Sequence, residues 1–464
     1  MAEIVILGAG LTGLSTAYHL EKNGFFDYVL FEQCQRPGGL AKSERYSGFT
    51  FDYTGHFLHL TTEYGRQMVD NILGLDGCQL HERRAAIFSH GRYIPYPFQA
   101  HLNGLPSSVI IDCIEGFIKR KKNGSPATFY TWVLKHFGKG LAEHFFVPYN
   151  EKLFDYPAKK LHHSWTGRFV PQVTLASLLQ GALEGQTQKM GYNSSFYYPR
   201  YSGIEVLPAT MVKGLGNSIM TNHTAVNIDP IGKKITFSNG KSERYRLLVS
   251  TIPLDALLTC VRPWAATLVH HAQKKLLCTS VLSVNLGLAT RVSDSHWVYY
   301  PERQFPFYRV GFWHNVSQAL VPDHASALFA EVGFRRSADY SIQRVTDTTV
   351  TALAKLFRFS SNDIVLHKNL LLDHAYVIYD AWRERNIQGL LDYLRCMSIY
   401  SIGRYGAWKY ASMEEALLDG RDVSDKILKA LKYPKIDRAG RLGKKGLEGI
   451  RKSNVKGVVD EADI

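Results

Sequence analysis

The sequence predicts an α/β fold in which a parallel-sheet domain, discontinuous in the chain, carries a mostly helical insert and a domain built on an antiparallel sheet. Three observations predict it. A buried strand, a glycine-rich turn, a helical pattern and a second strand follow one another within residues 3–32. Residues 91–199 have a mostly helical pattern. Short alternating segments typical of strands return after residue 200.

The glycine-rich turn follows a strand over Glu3–Leu7 and opens a helix. Gly8 permits the tight turn, Gly10 lets the backbone approach a pyrophosphate, and Gly13 lets the helix pack close to the strand. The helix N-terminus offers free N–H groups to the phosphates. The second strand ends at Glu32, which would accept hydrogen bonds from a ribose. This order predicts a Rossmann-type dinucleotide-binding domain. The expected cofactor contacts in this segment are Gly8, Gly10, Leu11, Thr12, Gly13, Glu32 and Gln33.

The loop after Glu32 indicates which dinucleotide is bound. It reads Arg36-Pro37-Gly38-Gly39-Leu40, with Ser43 just beyond. This resembles the second phosphate-side loop of FAD enzymes of the glutathione-reductase-like superfamily, which plain NAD-dependent dehydrogenases lack. Gly38 and Gly39 allow another close backbone approach, and Arg36 adds charge near the diphosphate. An ordinary Pro-Gly-Gly turn is the alternative interpretation. We therefore expect FAD, bound in this loop by Arg36, Gly38, Gly39, Leu40 and Ser43.

Later strand patterns over residues 225–228, 234–237 and 247–250, with a hairpin turn at Asn239-Gly240, complete the cofactor domain. We expect an FAD-binding domain over residues 1–90, 200–270 and 395–430, and a mostly helical cap over 91–199. A β-sheet-rich substrate domain over 271–394 and a basic C-terminal tail over 431–464 complete the predicted organisation.

The formal net charge of +14 favours anionic partners. No nucleic-acid motif accompanies the basic runs, so we do not expect the protein to bind nucleic acid. We do expect a weak peripheral membrane contact through the basic tail. The six cysteines are widely spaced, which argues against a metal site or a disulfide framework. The first strand leaves no room for a signal peptide and no apolar run could span a bilayer, so we expect a cytoplasmic location. The oligomeric state stays open.

Several segments, in order from the first strand to about residue 425, resemble one family, UDP-galactopyranose mutase, and its eukaryotic-type members most closely. The segments that carry the resemblance are Tyr53–His59, Tyr93–Gln99, Pro148–Lys152, Trp165–Arg168, Trp297–Glu302, Pro306–Arg309, Asp373–Tyr376 and Gly403–Tyr410. Phe154 stands where the family usually has a tryptophan, and Ala411-Ser412 stands where bacterial members often have an aromatic residue and an acid.

The resemblance implies roles for individual residues. His56 would lie beside the isoalloxazine, and Arg168 and Arg309 would hold the diphosphate leaving group. These three are the expected catalytic residues. The implied substrate-binding residues are Tyr96, Gln99, Asn150, Phe154, Tyr299, Tyr376 and Tyr410. The implied further cofactor contacts are Gly55, His56, Val226, Arg404, Ser412 and Met413. Taken singly, an arginine beside aromatic residues is as often a surface residue, and a lone histidine is more often structural.

The implied activity is a flavin-dependent isomerase that interconverts the pyranose and furanose forms of a nucleotide sugar. UDP-galactopyranose and UDP-galactofuranose, or a related pair, would be substrate and product, in polysaccharide biosynthesis. The resemblance implies a covalent bond between N5 of the reduced flavin and the sugar, with NAD(P)H or another reductant for activation. Guanidinium groups and tyrosine hydroxyls suit a diphosphate.

An FAD-dependent oxidase or desaturase of the amine-oxidase or protoporphyrinogen-oxidase type is the alternative. Those enzymes usually close the flavin site with a Gly-Glu loop, where this sequence has Gly403-Arg404. A flavin-binding scaffold without catalysis is a third interpretation. Absence of Arg168 or Arg309 from the sequence would have favoured it, but both residues are present.

Overall fold

The fold is described from a computed structural model, which covers residues 2–184, 190–191, 193–262, 272–336 and 338–431. The predicted basic tail lies outside the described residues from position 432 onward. Within these ranges, no helix combines the length and the apolar character needed to cross a membrane.

The described residues form groups of consecutive strands and groups of consecutive helices. The strands are β1 Ala2–Leu7, β2 Tyr28–Phe31, β3 Ser43–Tyr46, β4 Phe49–Asp52, β5 Cys78–Glu82, β6 Ala85–Ser89, β7 Arg92–Pro95, β8 Ser195–Pro199, β9 Ile219–Met220, β10 Ala225–Asp229, β11 Lys234–Phe237, β12 Ser242–Ser250, β13 Thr279–Leu288, β14 Trp297–Tyr299, β15 Arg309–Phe312, β16 Ser326–Arg335, β17 Ile364–Leu372 and β18 Ile399–Ser401. The α-helices are α1 Leu11–Lys22, α2 Glu63–Leu73, α3 Ser107–Ile118, α4 Phe129–Leu141, α5 Val147–Phe154, α6 Leu175–Leu183, α7 Val206–Gly214, α8 Leu254–Cys260, α9 Ile342–Phe357, α10 Ala381–Cys396, α11 Gly403–Gly406 and α12 Met413–Ala430. Short helical turns occur at Phe98–Ala100, Ala142–Phe146, Gly167–Phe169, Trp313–Asn315, Gln318–Leu320 and Ser361–Asp363.

The first sheet is parallel at its centre, where the strands run in the order β18-β12-β1-β2-β9. The hairpin β10-β11 extends it through antiparallel pairing with the start of β12. Strand β1 is buried along almost its whole length, as expected for a strand covered on both faces. Helices α1 and α12 pack together beside this sheet, and Gly420 allows the contact because a Cβ there would lie 2.7 Å from the Thr12 carbonyl oxygen.

The second sheet has the order β17-β13-β16-β15-β14-β6-β7 and is antiparallel except between β14 and β6. Successive side chains along its strands point to opposite faces of the sheet, so they belong in turn to two different hydrophobic cores. Val298, Val310 and Ala330 pack toward helix α9, whereas Trp297 and Phe329 belong to the core shared with the first sheet. This alternation decides which residues can reach a site between the two sheets.

The helical segment between the sheets depends on glycine for close packing. A Cβ on Gly140 of α4 would lie 2.1 Å from the Asp112 carbonyl oxygen of α3. Gly138 has a φ of +79°, which breaks the regular helix at this crossing. The chain then passes through the turn Ala142–Phe146 into α5, and this path sets the direction in which α5 presents its side chains.

Strand pairing places one segment differently from the sequence prediction. Residues 85–90 were assigned to the cofactor domain, but β6 pairs in parallel with β14 of the second sheet. Strand β7, assigned to the helical cap, extends that same sheet. The pairing of β6 with β14 joins Ala85 to Trp297, far apart in the chain, and β7 follows β6 into the sheet as a local hairpin. Local hydrophobic patterns carry no information on a contact as distant as that between β6 and β14. The other predicted domain limits stay predictions.

Candidate active site

The glycine turn after β1 is shaped to receive a backbone-bound group. Gly8 has a φ of +95°, and a Cβ on Gly13 would lie 1.9 Å from the Gly8 carbonyl oxygen. Gly39, with a φ of +60°, approaches the turn so closely that its Cβ would lie 3.0 Å from the Cα of Gly10. Gly10 caps α1 and has no side chain to occupy the N–H groups of Leu11 and the following residues. The turn therefore leaves a helix N-terminus open to phosphate.

Glu32 ends β2 beside this turn and is almost fully buried. Its carboxylate accepts hydrogen bonds from the Ala9 N–H at 2.7 Å and the Cys34 N–H at 2.9 Å. These bonds fix the carboxylate next to the turn, where a ribose of a bound dinucleotide is expected. Thr12 is buried in the first turn of α1, Gln33 is exposed, and Val226 on β10 is half-exposed.

Arg36 and Ser43, expected to contact the cofactor, have partners within the protein. Arg36 forms ion pairs with Glu44 and, at 3.8 Å, with Glu205. The buried Ser43 hydroxyl donates to Asp52 at 2.5 Å. The positive charge of Arg36, which we expected to lie near the diphosphate, is thus already balanced by the carboxylates of Glu44 and Glu205. Gly38 and Leu40 lie in the same loop, where the Gly38 N–H donates to the Ala9 carbonyl at 2.8 Å.

Arg309 lies in a row of side chains that crosses the second sheet. Its register partners are Tyr299 on β14 and Glu331 on β16. The guanidinium donates to Glu331 in a bidentate ion pair, from Nε at 2.7 Å and from Nη2 at 2.8 Å. The Glu331 side chain is fully buried and that of Arg309 is 16% exposed. The positive charge of Arg309 is therefore largely balanced inside the protein.

Six tyrosines form a cluster in the core that the two sheets share. Ring centroids of successive members lie 5.1 to 6.4 Å apart. The members, which we call the tyrosine cluster, are Tyr96, Tyr299, Tyr149, Tyr308, Tyr376 and Tyr410. Burial raises the pKa of five of them, so these hydroxyls stay protonated and can donate hydrogen bonds; the five are Tyr96, Tyr149, Tyr308, Tyr376 and Tyr410.

A guanidinium lies at each end of the tyrosine cluster. Arg83 lies 4.5 Å from the ring centroid of Tyr96. Arg404 lies 5.3 Å from that of Tyr376 and 5.0 Å from that of Tyr410. Arg404 donates to the carbonyls of Ala411 at 2.6 Å and Ala375 at 2.8 Å, and among the described residues no carboxylate forms an ion pair with it. A buried cation balanced only by carbonyls and phenols favours an anionic ligand.

Gly55 and His56 lie on the loop after β4, close to Arg309 and Arg404. A Cβ on Gly55 would lie 3.5 Å from Nη2 of Arg309, and the Gly55 N–H donates to Glu331 at 3.4 Å. Burial, helped by the charge of Arg404, lowers the pKa of His56 to about 4. The imidazole is therefore neutral at pH 7. Its Nδ1 is buried without a hydrogen-bond partner in the described part of the chain, and so could bond to a ligand.

Two predicted substrate-binding residues, Gln99 and Asn150, have their side-chain amide nitrogens bonded to backbone carbonyls. Gln99 donates from Nε2 to the Pro171 carbonyl at 2.7 Å, and Asn150 donates from Nδ2 to the Phe146 carbonyl at 2.8 Å. Phe154 contacts Tyr376, with ring centroids 6.0 Å apart. The structure thus places Phe154 next to the cluster. The substrate-binding roles of Gln99 and Asn150 stay predictions.

Arg168 lies on the short helical turn Gly167–Phe169, and its side chain lies outside the described part of the structure. The residues around it do reach the cluster, because the rings of Trp165 and Phe169 lie 6.2 and 4.6 Å from that of Tyr410. The catalytic role of Arg168 stays a prediction.

Ser412 and Met413 begin helix α12. Ser412 is its N-cap and forms a capping box with Glu415. Its hydroxyl accepts the Glu415 N–H at 3.2 Å, so it is engaged in helix capping. Met413 follows as the first helical residue.

Sequence reasoning missed Glu331, Arg83 and the tyrosines Tyr149 and Tyr308. Glu331 left a signal, since it is one carboxylate within the otherwise apolar strand β16 and such a charge needs a buried partner. The two tyrosines lie within or beside the segments already singled out, but only the tertiary contacts show which aromatic residues meet.

These features define the class of protein as an FAD-binding flavoprotein with a cationic, tyrosine-rich site between two sheets. The fit of FAD rests on the glycine cradle that a Cβ would fill and on Glu32 beside it. The profile of the family described as flavin containing amine oxidoreductase matches residues 11–428, and the chain belongs to that family.

Solved structures are similar over most of the chain, and curated proteins over about half of it or less. A crystal structure of reduced UDP-galactopyranose mutase aligns with a TM-score of 0.87 and 26% identity, over 93% of this chain and 94% of that one. A putative protoporphyrinogen oxidase from Exiguobacterium sp. 255-15 shares the fold, with a TM-score of 0.73 and 17% identity over 92% and 99% of the two chains. Protoporphyrinogen oxidase 2 of Arabidopsis thaliana is 20% identical over 52% of this chain and 51% of its own length. The chain spans about half the length, or less, of the curated relatives it matches.

Proposed function

We propose that this protein is a flavin-dependent sugar-nucleotide mutase that interconverts the pyranose and furanose forms of a nucleoside-diphosphate sugar, with UDP-galactopyranose as the first candidate. The observation that carries the proposal is the chemistry of the site. A cluster of protonated tyrosine hydroxyls lies between two guanidiniums, and Arg404 has no carboxylate ion-pair partner among the described residues.

The charge of the site favours a diphosphate over the substrates of related oxidases. Two unit charges 4 Å apart interact by roughly 4 kcal/mol at an effective dielectric of about 20. Arg404 would attract an anion and repel an ammonium group by energies of that order. An apolar substrate would leave the guanidinium buried without an anion. A nucleoside-diphosphate sugar supplies two phosphates for the arginines and several hydroxyls for the tyrosines.

The similarity to reduced UDP-galactopyranose mutase supports the same activity, because it extends over more than nine-tenths of both chains. The oxidases align with lower identity, 17% for the Exiguobacterium protein and 14% for putrescine oxidase. Those likenesses support the shared fold and do not favour their chemistry over a mutase.

Each part of the site has a separate task in the proposed reaction. When bound and reduced, FAD supplies the nucleophile. Arg404, which the resemblance implied as a cofactor contact, would here hold the diphosphate together with Arg168 while negative charge develops on it. Tyr376 and Tyr410 would direct hydroxyl donors at the same group. His56, neutral at pH 7, would bond to a ligand without adding charge.

A substrate panel tests this proposal. The FAD-loaded protein, reduced with dithionite, is incubated with UDP-, GDP- and dTDP-sugars, and pyranose and furanose products are separated by chromatography. We expect conversion of at least one nucleotide sugar by the reduced protein and none by the oxidised protein. A Gly13→Ala variant, in which the glycine cradle is filled, serves as the cofactor-free control.

Two outcomes would overturn the proposal. One is the absence of conversion across the panel while UDP fails to bind. The other is hydrogen peroxide formed in proportion to the substrate consumed, which would assign the protein to the oxidases of its family.

A further inference from the structure

Four ionisable side chains form a closed ring outside the tyrosine cluster. His374 Nε2 lies 3.0 Å from Asp255 Oδ2, and His374 Nδ1 lies 3.3 Å from Asp373 Oδ2. Arg336 completes the ring with bonds to Asp255 at 2.5 Å and to Asp373 at 2.8 Å. The residues come from α8, from the end of β16 and from the segment after β17. We call this group the charged ring.

The inner half of the charged ring is shielded from solvent. The side chains of Asp255 and His374 are 14% and 13% exposed. Burial acts to raise the pKa of Asp255, but hydrogen bonding to His374 and the charges of His374 and Arg336 outweigh it, and the pKa lies below its ordinary value. The partly buried Asp255 carboxylate is therefore well satisfied by its hydrogen bond with His374 and by the charge of Arg336.

The backbone that follows His374 leads from the charged ring directly to Tyr376 of the tyrosine cluster. On its other side, that backbone is held by Thr279, whose carbonyl accepts the Ala375 N–H at 2.8 Å and whose hydroxyl accepts the Tyr376 N–H at 3.0 Å. The carbonyl of Ala375 is left pointing toward α11. It accepts hydrogen bonds from Arg404 Nη2 at 2.8 Å and from the Tyr405 hydroxyl at 3.1 Å.

The direction of the Arg404 guanidinium thus depends on two carbonyls, those of Ala375 and Ala411. No carboxylate pairs with it within the described ranges, so no ion pair would hold it if one carbonyl moved. A displacement of about 1 Å in a positioned group can reduce its contribution to a site by two orders of magnitude. The ring lies one residue from the first of these carbonyls.

We infer that Asp255 and His374 are positioning residues, which act through the Ala375 carbonyl to aim Arg404 at the anionic ligand of the site. This inference rests on the proposed function for the nature of that ligand. The competing interpretation is that the ring only ties α8 to the second sheet. In that case its loss would lower stability and leave Arg404 and ligand affinity unchanged.

Hydrogen–deuterium exchange and UDP titration of the full-length, FAD-loaded protein separate the two interpretations. In His374→Ala we expect faster amide exchange over residues 403–411 and an about tenfold higher dissociation constant for UDP. His374→Gln, which keeps one donor, should recover part of both effects. Arg335→Ala is the matched control, because Arg335 precedes Arg336 and forms an exposed pair with Asp155 at 3.7 Å. It should change neither quantity.

A double variant completes the test. If His374 acts through Arg404, His374→Ala should not weaken UDP binding further in an Arg404→Ala background. Unchanged exchange over residues 403–411 would overturn the inference, as would an equal loss of affinity in both backgrounds. If the wild-type protein binds no UDP, the proposed function falls, and the exchange measurement alone decides whether the ring positions the Arg404 segment.

Discussion

At the scale of single residues, the two arginines that meet Tyr376 and Tyr299 have opposite electrostatic roles. Arg309 is matched by a buried carboxylate, whereas Arg404 is held by carbonyls and phenolic rings. Of these two arginines, Arg404 is therefore the one whose positive charge is available to a ligand. The resemblance implied Arg309 as a diphosphate contact and Arg404 as a cofactor contact, but the sequence did not distinguish a neutralised guanidinium from a free one.

Removing the positive charge of Arg404 should weaken anion binding. Arg404→Ala is expected to raise the dissociation constant for UDP by 10- to 100-fold, because hydrogen bonds to a charged group contribute about 1.5–3 kcal/mol. Isothermal titration of the FAD-loaded protein measures it. Arg385→Ala removes an exposed arginine of α10 and should leave the constant unchanged. Equal affinity in wild type and Arg404→Ala would show that the ligand's charge is bound elsewhere.

Removing the carboxylate beside Arg309 should move stability and affinity in opposite directions. Glu331→Gln leaves a buried guanidinium without its counter-charge, a change that costs about 3–5 kcal/mol. The melting temperature should fall, while UDP should bind more tightly because the charge of Arg309 is released. Asp392→Asn breaks the exposed pair with Arg395 and should cost at most about 1 kcal/mol. Weaker UDP binding by Glu331→Gln would mean that Glu331 orients Arg309 for the ligand.

At the scale of elements, the turn between β1 and α1 sets the cofactor site. Gly13 belongs to the first turn of α1, and the helix packs against the strand only because that residue has no Cβ. The same helix is fixed from the other side by α12 through Gly420. Strand, turn and both helices therefore form one unit, and a change at the turn should act on all of it.

Two glycine-to-alanine changes in helices should have opposite effects. Gly13→Ala places a methyl group 1.9 Å from the Gly8 carbonyl oxygen and should abolish flavin binding, measured as absorbance near the visible flavin bands. Gly389→Ala on α10 meets no heavy atom within 4 Å and should stabilise the protein by about 0.5–1 kcal/mol. A yellow Gly13→Ala protein would contradict the structure of the turn.

At the scale of the whole molecule, burial of histidines makes stability depend on pH. Burial lowers the pKa of His19 and His56 to about 4 and that of His296 to about 3. Each group is neutral in the folded protein but titrates near 6.5 when unfolded. Their contribution to stability is therefore complete above pH 6.5 and is lost as the pH falls toward the folded values.

The melting temperature should accordingly fall between pH 6.5 and pH 4. His296→Asn should make this fall less steep, because it removes one group worth up to about 1.4 kcal/mol per pH unit. Asparagine can keep the acceptor that His296 Nδ1 offers to the Arg84 N–H at 3.0 Å. The exposed His324→Asn should leave the slope as in wild type. If the melting temperature falls equally steeply with pH in wild type and in His296→Asn, folding does not lower the pKa of His296.

Local sequence determined the cofactor half of this protein. The glycines at 8, 10 and 13, the strand that ends at Glu32 and the Pro-Gly-Gly loop lie within 40 residues, and each has a backbone consequence that chemistry alone dictates. The α/β fold and FAD were predicted from them, and both predictions are confirmed by the family and by the solved structures.

Only the tertiary structure decided how the charges of the site are matched. Glu331 neutralises Arg309 from a neighbouring strand, Glu205 pairs with Arg36 from 169 residues away, and the charged ring reaches Arg404 through one carbonyl. Strand register and helix packing create these pairs, and the register of distant segments is not encoded in any local pattern. The sequence could therefore name the arginines, while the fold determined which of them keeps its charge for a ligand.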